Sequence, residues 1–133
     1  MKSIWIDLKN VAKNLQEKCP FIKFALISGP DENGCLNVPA KLDLSVFVGS
    51  GIGTWVAIEK ILPVITVAVP EVCCEVTLLN LADPATRHRA MQDICLFIQK
   101  GQEDVFHEFD LRSRLDYRIM RAQKRRRGLV EDD

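Results

Sequence analysis

Two apolar runs joined by a glycine- and proline-containing loop constrain this chain more than any other feature. FIKFALIS, residues 21–28, reads as a buried strand cut off by Gly29-Pro30. LDLSVFV, residues 42–48, alternates, with Leu42, Leu44, Val46 and Val48 on one face and Asp43, Ser45 and Phe47 on the other. That is a strand with one face committed to a core. Between them PDENGCLNVP, residues 30–39, is a loop by composition.

The remaining segments must cover that pair. Ile4, Trp5, Leu8, Val11, Ala12 and Leu15 recur at helical spacing behind Ser3 as a cap, which predicts a first helix ending before Cys19-Pro20. After GSGIG, residues 54–62 read as a short helix, and GSGIGT lacks the spacing of a dinucleotide turn. Residues 64–69 and 73–79 read as two strands joined by a turn around Pro70-Glu71. Pro84 suits the first turn of a further helix, expected to reach about Gln99 and stop at Gly101. A last helix, about residues 105–126, is expected to bury Leu111, Leu115, Ile119 and Ala122. The expected class is α/β (α+β): a short mixed β-sheet flanked by helices, one domain over residues 1–133.

Composition excludes several classes. The formal net charge is zero, so overall charge points neither to nucleic acid nor to a membrane. The stretch from Ile61 to Val69 is broken by Pro63 and Thr66 and is about half a membrane span. No signal-like segment opens the chain, and a cytoplasmic protein is expected. Five cysteines form no CxxC pair, so buried free thiols are expected and zinc is not. His88 and His107 have no catalytic neighbours in sequence, and Trp5 and Trp55 read as core or interface aromatics.

LISGPDENGCLNVPAKLDLSVFV resembles the signature of the DNA polymerase β-like nucleotidyltransferases, in particular the minimal nucleotidyltransferases of bacteria. Their pattern is a strand ending in Gly-Ser, a loop with a further Gly, and a strand reading Ser-Asp-x-Asp-Leu. A third Asp comes from a later strand. EVTLLNL followed by ADPATRHRAMQDICLFIQKG is similar to the family's third strand and next helix, and VFHEFDLRSRLDYR to its C-terminal helix. The resemblance implies the nucleotidyltransferase-like fold over about residues 21–120.

It also implies a chemistry. Nucleotidyl transfer uses magnesium ions to neutralise a triphosphate and activate the attacking oxygen. Such ions take carboxylate oxygens, and Asp-x-Asp on a strand sets two on one face about 7 Å apart. Here the first aspartate position is Lys41, the second is Asp43 and the third falls on Thr77. The Gly-Ser turn is transposed to Ser28-Gly29, the candidate nucleotide-binding pair, and Pro30 offers no amide. Three carboxylates would supply about −3 toward metal, whereas Lys41, Asp43 and Thr77 together supply about zero. An ion pair between Lys41 and Asp43 is expected, with a gross attraction of about 4 kcal/mol before desolvation.

The resemblance therefore implies a catalytically impaired protein with no required cofactor and Asp43 as a vestigial catalytic position. Members of this family are commonly encoded beside small all-helical partners and act as antitoxins, so a helical protein partner is expected, or else a homo-oligomer. Residues 112–127 hold eight basic residues against Asp116, and Arg114, Arg118, Arg121 and Arg125 form a stripe nominated as partner-binding. Two alternatives stay open. One is an active enzyme with a rearranged site, holding one magnesium on Asp43 and Glu75. The other is a nucleic-acid-binding module using the basic helix, which is less favoured because only Tyr117 could stack on a base.

Overall fold

The computed structural model describes residues 2–128. In chain order it runs β1 (Lys2–Trp5), α1 (Leu8–Lys18), β2 (Ile22–Ser28), β3 (Cys35–Val38), β4 (Leu42–Val48), α2 (Thr54–Ala68), β5 (Cys74–Leu78), α3 (Pro84–Ala90), β6 (Ile94–Ile98) and α4 (Glu103–Arg126). A mixed four-stranded sheet is ordered β5-β4-β2-β6, with β4 and β5 parallel and the other pairs antiparallel.

Alternation along β2 sets the layers. Ile22, Ala25 and Ile27 join the core that holds Val11 and Leu15 of α1 and Ala57, Ile61 and Ile65 of α2. Phe24 and Leu26 belong to a second cluster with Leu79 and Ala90, packed against Phe106 and Phe109 of α4. The sheet thus separates α1 and α2 from α3 and α4. Phe24 anchors the second layer, stacked on Phe47 at 5.3 Å and edge-on to Phe106 at 5.0 Å.

Several expected elements differ. Ser3, Ile4 and Trp5 lie in β1, where Ser3 pairs with Asn37 and Ile4 with Leu36 of β3. Hence part of the expected loop is a strand, and α1 starts later. Its cap is Asp7, whose carboxylate accepts from the Asn10 amide at 3.1 Å. Residues 64–69 are not a strand, because α2 continues through Pro63 to Ala68. Proline there costs about 3 kcal/mol. Fully burying Ile61 and Ile65 contributes about 1.5–3 kcal/mol each, and the helix prevails. The helix after Pro84 ends at Ala90, and ICLFI becomes β6, with Gly101 in the turn before α4.

The C-terminal helix is rotated relative to expectation. Leu111, Leu115 and Ile119 face outward at 69%, 51% and 47% exposure, and Ala122 is exposed too. The inner face instead presents Phe106, Phe109 and the fully buried Ser113. Trp5 and Trp55 are exposed rather than core. Of the cysteines only Cys19 is buried, while Cys73 and Cys95 are exposed.

Candidate functional site

Strand register assembles the site. Ser28 ends β2 opposite Asp43 on β4, and Asp43 lies beside Glu75 on parallel β5. Two residues further along β4 and β5, Ser45 lies beside Thr77. All five line a hollow of about 390 Å³, together with Thr86 and Arg89 of α3 and Asp93 of the following turn. The odd positions 43, 45, 75 and 77 share the sheet face opposite α1 and α2.

Lys41 does not pair with Asp43. Its Nζ lies 3.3 Å from Glu75 Oε1, across the strand boundary. The two side chains are 63% and 60% exposed, so solvent screens the pair and its net worth is under about 1 kcal/mol. The gross attraction expected from charge alone is mostly cancelled there.

Gly29 takes φ +119°, and a Cβ on it would lie 2.5 Å from the Lys41 carbonyl oxygen. Its lack of a side chain lets the Ser28-Gly29 turn close onto the start of β4. That is a packing role, visible only once β2 and β4 are paired.

Asp93 was not legible as a site residue, because the expected long helix hid the turn that brings it inward, whereas Ser45, Thr86 and Arg89 join the site only once α3 packs beside β4 and β5. Burial pushes the Asp93 carboxyl up, Asp43's charge adds to this, and Arg89 opposes it. The Cys74 thiol, next to Glu75, is pushed up to about 12, first by burial and then by the charge of Asp43.

No protein-family profile matches the sequence, and no curated protein matches it significantly. Solved structures do. A chain of an MntA–HepT toxin–antitoxin mutant superposes with a TM-score of 0.71 at 12% identity, covering 90% of this chain and 94% of that one. A toxin–antitoxin structure with AMP-PNP gives 0.70, also at 12% identity, covering 90% and 94%. A tri-AMPylated HEPN toxin in complex with MNT antitoxin, from Shewanella oneidensis, gives 0.64 at 12% identity, covering 89% and 90%. The chain has the nucleotidyltransferase-like fold.

Within that fold, the carboxylates of this hollow stand among cations. Of the carboxylates, Glu75 is bonded to Lys41, the Asp93 carboxyl is raised by burial, and Arg89 lines the same hollow. No group of three or more His, Cys, Asp or Glu that could hold a metal ion occurs among the described residues. Asp43 and Glu75 are nevertheless brought together, as the rearranged-site reading requires.

α3 connects this nucleotidyltransferase-like cleft to α4. Arg87 Nη2 lies 3.1 Å from Asp116 Oδ2, with exposures of 15% and 27%. The His88 and Tyr117 rings stack at 3.9 Å with an 8° interplanar angle. Of the nominated arginines, Arg114, Arg118 and Arg125 are exposed and Arg121 is half-buried. Arg114 is held by Asp110 through its Nε and Nη2, each at 3.2 Å. No helix among the described residues is long and apolar enough to cross a membrane.

Proposed function

We propose that this chain is an antitoxin-like, nucleotidyltransferase-fold protein of the cytoplasm that acts by binding a protein partner, with a cleft impaired for nucleotidyl transfer. The observation that carries this reading is the Lys41 ammonium bonded to Glu75 beside Asp43. It sets a cation beside carboxylates that the magnesium ions accompanying a triphosphate would need as ligands. The fold neighbours include antitoxins crystallised with their toxins, one of those toxins tri-AMPylated, which supports a protein partner and nucleotidyl transfer as the reaction to test for.

Incubation with labelled nucleoside triphosphates, magnesium and a co-expressed partner tests it. Stable co-purification without label transfer is the expected result. Labelled partner whose formation is abolished by Asp43→Asn would establish the rearranged enzyme instead, using Asp43 and Glu75.

A further inference from the structure

The outward stripe of α4 is unexplained by the core. Leu111, Leu115 and Ile119 recur every four residues, so their row is about 12 Å long on one helix face. The opposite face is already occupied by Phe106, Phe109 and Ser113. The stripe is therefore not a spare route into the domain. A hollow of about 570 Å³ runs beside it, lined by His88, Leu111, Arg114, Leu115, Tyr117 and Arg118. An adjoining hollow of about 240 Å³ shares His88 and Arg114 and is lined by Ser113, whose buried hydroxyl has no hydrogen-bond partner among the described residues.

Charge selects what would cover this surface. Arg114 and Arg118 lie one turn apart along one border of the stripe. Asp110 holds Arg114 through two of the five donors a guanidinium offers, which fixes its direction and leaves others for a second carboxylate. A second copy of α4 fits poorly. Packed antiparallel about Leu115, Leu111 would meet Ile119, but Arg114 would meet Arg118 of the other copy. Packed in parallel, this border would face the opposite border of the other copy, where the exposed Arg112 lies nearly level with Arg114. Either arrangement sets cation against cation, whereas a helix with an apolar stripe bordered by carboxylates satisfies both features at once.

We infer that Leu111, Leu115 and Ile119, bordered by Arg114 and Arg118, form the docking surface for an acidic amphipathic helix of a partner protein. This rests on the partner-binding reading above and names the chemistry of that partner.

The test uses the full chain and a synthetic amphipathic peptide of about three heptads, with leucine along one stripe and glutamate along its borders. Binding is measured by fluorescence anisotropy at about 0.05 M and about 0.5 M salt. A peptide with lysine replacing glutamate is the control. The expected result is binding of the glutamate peptide only, weakened at high salt. Leu111→Ser with Leu115→Ser should weaken it at least tenfold, and Arg118→Glu should slow association. All three sites are exposed, so circular dichroism should show an unchanged fold.

Equal binding of both peptides, or none of either, overturns the inference. So does a dimer in sedimentation that Leu115→Ser makes monomeric, which would assign the stripe to a second copy. Binding of a single-stranded RNA that depends on the arginines but not the leucines also overturns it. A natural partner recovered equally with wild type and Leu115→Ser would remove this surface while leaving the antitoxin-like reading intact.

Discussion

Lys41 Nζ reaches Glu75 Oε1 at 3.3 Å, although the strand register sets Glu75 beside Asp43. The lysine thus bonds to the neighbour of the aspartate rather than to the aspartate itself. Asp43 remains in the cleft with Asp93 and Arg89 around it.

Replacing Lys41→Asp together with Thr77→Asp should create metal affinity. Positions 43, 75 and 77 sit on β4 and β5, and position 41, just before β4, reaches Glu75, so the new carboxylates would join Asp43 and Glu75. In metal-free buffer the double variant should lose stability by about 1–3 kcal/mol from like-charge repulsion. Magnesium or manganese should restore it in a thermal-shift titration and leave the wild type unmoved. Lys41→Ala alone should shift stability by less than about 1 kcal/mol, because its ion pair is exposed.

Asp116→Ala and Asp110→Ala should differ in cost. Asp116 faces Arg87, which is only 15% exposed and has a buried Nε lacking a partner among the described residues. Removing that carboxylate strands a largely buried cation, and about 2 kcal/mol should be lost in urea unfolding. Asp110 serves the 68% exposed Arg114, so its loss should cost under about 1 kcal/mol.

Asp93→Asn should stabilise the chain at neutral pH. The carboxyl of Asp93 is raised above its usual 3.8 by burial and by Asp43, so the folded state holds the proton more tightly than the unfolded one. Its ionisation subtracts from stability as pH climbs from about 3.8 through the folded value. Urea midpoints of variant and wild type should therefore differ at about pH 7 and converge toward about pH 3.

Cys74 should resist alkylation. With its thiol pushed up to about 12, only roughly one part in ten thousand is thiolate near pH 8. Mass mapping after iodoacetamide should show it reacting at least a hundredfold more slowly than in the unfolded chain, as expected for that thiolate fraction. Asp43→Asn should speed the reaction, since the charge of Asp43 is a named cause of the shift.

The β2–β4–β5 unit and Asp43 were legible because period-two alternation and turn residues report them locally. Ile4 and Trp5 misled because their spacing continues that of Leu8 and Val11, while their pairing with Leu36 and Cys35 is a long-range event. The β-branched run after Pro63 looked like a strand. Ala57, Ile61 and Ile65, each four apart, were the better guide, since only a helix buries all three. On α4 two stripes competed, one aliphatic and one with Phe106 and Phe109. The aromatic one turned inward because Phe24 and Phe47 meet it from the sheet, a match that no local pattern reveals.

α3 is seven residues long, and four consecutive positions divide between two surfaces. Thr86 and Arg89 face the cleft, while Arg87 and His88 hold Asp116 and Tyr117 of α4. An occupant of the cleft and an occupant of the α4 surface would therefore press on the same short rod. If either displaces it, each changes the affinity for the other by the same factor, since such coupling is reciprocal.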